Sequence, residues 1–139
     1  MKKNMKKLGV VLSLAACMGM MVTGCGGQKN GGEADADKTY TIGINQFADH
    51  GSLDNCREGF IEGLRQAGFE EGKNVEFDFS NANSDPGIAN QIAQSQVSNG
   101  VDLICAIATP SAQASYNVAE PKGIPVIYTA ISDPVAAGL

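Results

Sequence analysis

The sequence has little positive charge. Four of its ten basic residues, Lys2, Lys3, Lys6 and Lys7, fall in the first seven positions. Without them, six basic residues face fifteen acidic ones, a net charge of −9. Nucleic-acid binding rests on clustered Lys and Arg, so DNA and RNA are excluded as partners. There is no tryptophan and one histidine, His50, set among Asp49, Ser52 and Asp54. A nucleophile–base arrangement needs convergent groups, which neighbours on one loop seldom supply. No catalytic residue is therefore assigned, and His50 either lines a ligand or sits on a solvated loop. The four cysteines form no CxxC pair and meet no histidine at ligand spacing, which leaves no metal site. The segment Gln46–Gly51 lacks the spaced glycines of a dinucleotide or phosphate loop, so no cofactor is implied.

Long apolar runs are also missing. The one continuous stretch, Leu8 to Val22, is fifteen residues. As helix it spans roughly 22 Å, short of a hydrocarbon core of about 30 Å. With lysines before it, it reads as the apolar region of a signal peptide over residues 1–24. An N-terminal anchor helix or a buried core helix are the alternatives. Val22-Thr23-Gly24-Cys25 follows and resembles a bacterial lipobox, with Val22 where the usual leucine stands. That resemblance implies lipidation of Cys25, and two acyl chains suffice for stable membrane anchoring. Residues 25–38 are rich in glycine and charge with no large apolar side chain, the composition of a flexible tether. Cys56 and Cys105 remain in the folded part, either as two buried thiols or as a disulfide.

From residue 39 onward, apolar β-rich runs alternate with helical patterns. Strands are expected at Tyr40–Gln46, Val75–Ser80, Val101–Ala108 and Ile124–Ala130. The first helix is expected to start at a Ser52 cap and to bury Leu53, Cys56, Phe60, Leu64 and Ala67, ending at Gly68 with Phe69 against Leu64. The second takes Asp85 as cap and Pro86 as first residue, buries Ile88, Ala89, Ile92, Ala93 and Val97, and stops at Gly100. The third opens on a Thr109 cap with Pro110 and ends near Glu120, before Pro121. Such alternation implies right-handed crossovers and a parallel sheet. Glu76 and Asp78 alternate with Val75, Phe77 and Phe79, marking that strand as an edge. The fold class is therefore α/β, a doubly wound parallel sheet in the order 2-1-3-4. Ser132-Asp133-Pro134 looks set to cap a fourth helix, and a long apolar strand at the sheet's end leaves an exposed edge. Residues 39–139 are accordingly read as a partial lobe.

Ligands of open α/β sheets bind outside the carboxyl ends of the strands. Those ends, Gln46–Ser52, Asn81–Asp85, Ala108–Ser111 and Thr129–Asp133, are all rich in short polar side chains. The turn Thr109-Pro110-Ser111-Ala112-Gln113 is expected to offer free helix amides at Ser111, Ala112 and Gln113 to an anion such as a carboxylate. Plain capping without a ligand is the alternative.

The motifs Ile42-Gly43-Ile44-Asn45-Gln46, Ile107-Ala108-Thr109-Pro110-Ser111-Ala112-Gln113-Ala114 and Tyr128-Thr129-Ala130-Ile131-Ser132-Asp133-Pro134-Val135, with His50, Asp54 and Arg57-Glu58-Gly59-Phe60, resemble the substrate-binding lipoproteins of ABC importers. The likeness is to the branch linked to tryptophan and tyrosine uptake. It implies a type I periplasmic-binding-protein fold, with residues 39–139 as part of the N-terminal lobe. It further implies that Thr109, Ser111 and Ala112 hold a ligand carboxylate, while Gln46, His50, Asp54, Asn83 and Thr129 line the cleft. An extracytoplasmic, lipid-anchored binder of a small organic solute, an amino acid and more narrowly an aromatic one, working with an ABC permease and ATPase, is the function implied. A ligand-sensing module for a signalling receptor and a secreted α/β enzyme are the rival classes.

Overall fold

The computed structural model describes residues 38–139; the expected signal peptide, Cys25 and all of the tether but Lys38 lie outside them. The order is β1 (Tyr40–Gln46), α1 (Gly51–Gln66), β2 (Val75–Asn81), α2 (Pro86–Asn99), β3 (Leu103–Ile107), α3 (Thr109–Ala119), a 3-10 turn (Glu120–Lys122) and β4 (Val126–Thr129). All pairings are parallel and the strand order is β2-β1-β3-β4, as the alternation of Glu76 and Asp78 anticipates for an edge β2.

Side-chain alternation along β1 sorts the two faces. Ile42 and Ile44 join Val75, Cys105 and Ile107 on one side, where Leu53, Cys56, Phe60, Ile61 and Leu64 of α1 cover them. On the other side Ala82, Ala89 and Ala114 pack with Phe47 and Ile92, while Val101, Ile104 and Ala119 pack with Val97 and Val126. Small buried residues, among them Ala89, Ala93, Ser111, Ala112 and Ser115, let α2 and α3 lie close against the sheet and each other. Gly43 has a similar purpose, since a Cβ there would stand 2.8 Å from Cδ of the buried Gln96.

Local signals set most element ends. Phe69 N–H donates to Leu64 O at 2.9 Å and Gly68 N–H to Arg65 O at 3.1 Å, the paired bonds of a Schellman ending. Asp85 Oδ1 accepts from the amides of Gly87 and Ile88, with Pro86 first in the helix, and Gly100 ends α2 at φ 76°. Pro121 falls in the 3-10 turn that ends α3.

Four expectations are corrected. The cap of α1 is His50, whose Nδ1 accepts from Ser52 N–H, because the imidazole reaches the first-turn amides before the Ser52 hydroxyl is needed. Thr109 is not the cap of α3; Ala108 holds that place without a side-chain bond. In α2 Gln96 is buried and Ile88 is exposed, since close packing by alanines narrows the contact face. The strands β3 and β4 are shorter than their apolar runs, because Val101 and Ile124 pack near Ala119 instead of joining the ladder.

Candidate functional site

The carboxyl ends of the four strands are laced by backbone hydrogen bonds into one rim. Ala82 N–H donates to Gln46 O at 2.8 Å, and Ser84 N–H to Phe47 O at 2.8 Å. Phe47 N–H donates to Ile107 O at 3.1 Å, and Ala108 N–H to Thr129 O at 3.0 Å. Along this rim the backbone is strained. Among the described residues, the non-glycine ones with positive φ are Asn83 (51°), Ser84 (65°), Ala108 (78°) and Ala130 (57°), and all follow the ends of β2, β3 or β4. Ala108, with ψ 155°, occupies a region that is otherwise nearly glycine's alone. Each such residue costs about 1–3 kcal/mol, and strain of this kind gathers at ligand clamps and active sites.

Gln46 is fully buried, and its amide is committed. Nε2 donates to Ala48 O and Asp54 Oδ1, both at 2.8 Å, and Oε1 accepts from Arg57 Nη1 at 2.9 Å. Gln46 therefore underpins the rim from below. Asp54, in the first turn of α1, is partly exposed and takes Arg57 Nη1 on the same Oδ1 at 3.1 Å. His50 is exposed, with Nδ1 beside Ser52 Oγ at 2.8 Å. Asn83 is exposed too, and its N–H donates to Asn81 Oδ1 at 2.8 Å, which helps hold its left-handed backbone.

At α3 the expected set of free amides is reduced. Ala112 N–H is spent on Ala108 O at 3.0 Å, the helix's first internal bond. Ser111 is buried and its hydroxyl donates inward to Asn45 Oδ1 at 3.1 Å. What the turn presents is the first-turn amide of the half-buried Thr109, which precedes that bond; the Ser111 amide lies in a fully buried residue. Thr109 and Thr129 are half-buried at the ends of adjacent strands. The structure thus places every expected site residue at the carboxyl end of one sheet; it joins Gln46 to Asp54 and carries Ser111 and Ala112 into the packing beneath.

Three residues escaped the sequence reading. Asn45, fully buried, donates from Nδ2 to Ala89 O (2.9 Å) and Ser115 Oγ (3.2 Å) and ties β1 to α2 and α3. Arg57 clamps Gln46 and Asp54 while its guanidinium lies 4.6 Å from the Phe79 ring centroid, and Phe79 is the third. The Asp54–Arg57 spacing of three along a helix was the available signal. Burial pushes the Cys105 thiol up to about 12, with the nearby Cys56 adding a little, so it is held protonated. Both cysteines are free thiols. Among the described residues no cluster of His, Cys, Asp or Glu could hold a metal, and no helix is long and apolar enough to cross a membrane. A groove of about 290 Å³ opens away from the rim, lined by Tyr116, Glu120, Gly123, Ile124, Pro125, Val126, Tyr128 and Leu139.

With the rim described, similarity to known proteins gives its context. Residues 41–139 match the family model for ABC transporter substrate binding proteins. The chain is 44% identical to the tyrosine-binding protein of Clostridioides difficile (strain R20291), over 100% of this chain and 41% of that protein. A ligand-free, open structure of a Clostridium difficile substrate binding protein with adhesive properties superposes with a TM-score of 0.69 at 48% identity, covering 73% of this chain and 34% of that one. A Streptococcus pneumoniae ABC domain in complex with L-Trp gives 0.68 at 37% identity, with the same 73% and 34% coverage. The chain spans 41% of the length of its curated relative. On the match across residues 41–139, the chain belongs to the ABC transporter substrate-binding protein family.

Proposed function

We propose that this chain belongs to an extracytoplasmic receptor that binds a small organic solute and delivers it to an ABC permease and its ATPase. In this reading residues 1–24 direct export, Cys25 carries lipid, residues 25–38 are a tether, and residues 39–139 form part of the N-terminal lobe. The protein binds without chemistry. An amino acid is the solute class best supported, and an aromatic side chain fits the relatives named for tyrosine and bound to L-Trp.

The observation that carries the reading is the strained rim. Four non-glycine residues in left-handed backbone gather where open α/β sheets take their ligands. The first-turn amide of Thr109 suits a carboxylate, and the half-buried Asp54 suits a cationic group. Uptake of radiolabelled tyrosine and tryptophan by cells lacking the gene tests the proposal. Uptake should fall in the deletion strain and return on complementation. Unchanged uptake together with a lost transcriptional response to the same amino acids would favour the sensing class instead.

A further inference from the structure

We infer that Arg57 is a positioning residue that holds Asp54 as the acceptor for a solute ammonium group. The inference rests on the amino-acid reading above and deepens it.

Asp54 has two carboxylate oxygens with unequal surroundings. Oδ1 receives two hydrogen bonds, from Gln46 Nε2 at 2.8 Å and from Arg57 Nη1 at 3.1 Å. Oδ2 receives none among the described residues, and the side chain keeps 28% of its surface exposed. A carboxylate so placed is fixed in direction by one oxygen and open to a donor at the other.

What fixes it is the guanidinium. Arg57 is itself held on three sides: by Asp54, by the buried Gln46 Oε1 at 2.9 Å, and by the Phe79 ring 4.6 Å away. One nitrogen, Nη1, donates to Gln46 and Asp54 at once while the guanidinium lies on the Phe79 ring, a combined contact that a flexible ammonium meets less well. Gln46 completes the lock. Its amide orientation is set by Arg57 at the oxygen and by Ala48 O at the nitrogen, so its Nε2 must point at Asp54. Asp54 also stands in the first turn of α1, at the same end of the sheet as the Thr109 amide. A zwitterionic amino acid would meet that amide at its carboxylate and Oδ2 at its ammonium.

The test is calorimetry on the full-length protein with two probes, L-tyrosine and 3-(4-hydroxyphenyl)propanoate, which lacks the amino group. The wild type should prefer tyrosine by about tenfold or more, the effect of one charge-assisted hydrogen bond. Asp54→Asn should cut that preference to within about threefold while leaving propanoate affinity nearly unchanged. Arg57→Met should erode the preference in the same direction, and Arg57→Lys should restore part of it. Circular dichroism melts identify any variant that fails to fold, in which case Asp54→Asn and Arg57→Lys carry the test. If the variants weaken both probes by the same factor and the preference survives, Asp54 is structural and the subsite is overturned. If the wild type binds neither probe, the amino-acid reading fails and the subsite falls with it.

Discussion

Replacing Asn45 with alanine removes the polar joint between the sheet and the two helices beneath the rim. Asn45 is fully buried and makes three side-chain hydrogen bonds, to Ala89 O, Ser115 Oγ and Ser111 Oγ, at 2.9, 3.2 and 3.1 Å. At a net 0.5–1.5 kcal/mol each, these sum to about 3 kcal/mol. The Ser111 hydroxyl would also lose its acceptor in a site sealed from water, which adds to the cost. For a domain of this size about 3 kcal/mol lowers Tm by roughly 12–24 °C. Urea unfolding followed by far-UV circular dichroism should show a lower midpoint at unchanged slope. A second variant separates hydrogen bonding from packing: Asn45→Leu combined with Ser111→Ala and Ser115→Ala deletes Asn45 together with both hydroxyl partners and leaves only the backbone Ala89 O. Removing both sides of a buried hydrogen bond is far less harmful than removing one, so the triple variant should recover much of the loss. An Asn45→Ala protein within about 0.5 kcal/mol of wild type, or a triple variant worse than the single one, would mean that these hydrogen bonds do not hold the helices to the sheet.

Ala108→Gly should stabilise the protein by about 0.5–2 kcal/mol, since strain of about 1–3 kcal/mol at φ 78° is relieved against the entropy glycine adds to the unfolded chain; a lowered Tm would show that no strain is stored there. The Lys38 ammonium, and then the Thr41 N–H, hold the Asp102 carboxyl below its usual 3.8. A depressed carboxyl contributes stability above its unfolded pKa and loses it as pH falls through the folded one, so Asp102→Asn should flatten the wild type's loss of stability below about pH 4. Equal acid limbs in urea titrations of the two proteins would contradict this. Cys25→Ala should abolish incorporation of labelled fatty acid and release the protein from membranes, whereas label on the variant would exclude lipidation at that residue.

Much of the fold was legible because local signals and tertiary packing agree. Asp85 with Pro86, Gly100, and Gly68 with Phe69 mark helix ends through backbone geometry that needs no distant partner. Alternation of Glu76 and Asp78 betrayed the edge strand for the same reason. Errors came where a distant contact decides or where two neighbouring side chains compete for one place. Val101 and Ile124 are as apolar as ladder residues, yet they pack in a cluster with Ala119, so the apolar runs overstate β3 and β4. The Ser52 hydroxyl and the His50 ring both suit a cap, and composition does not choose between them. At the site, the polar residues ending each strand were visible, and their direction was not. Ser111 was expected at the ligand carboxylate and Gln46 along the cleft, and their side chains bond inward to Asn45 and Arg57, partners fixed only by the packing of α3 and α1 on the sheet. The role of Arg57 was hidden because its acceptor Gln46 lies on a different element.

If the rim receives an amino acid through its carboxylate at the Thr109 turn, calorimetry on the full-length protein will register the loss of that charge. Free L-tyrosine and its methyl ester differ in the negative charge that the first-turn amide would hold. The free acid should bind about tenfold or more tightly than the ester, and Thr109→Val, which keeps the amide and removes the hydroxyl beside it, should weaken the free acid while melting near the wild type, since Thr109 does not cap α3. An ester that binds as tightly as the free acid would mean that no carboxylate sits at this turn.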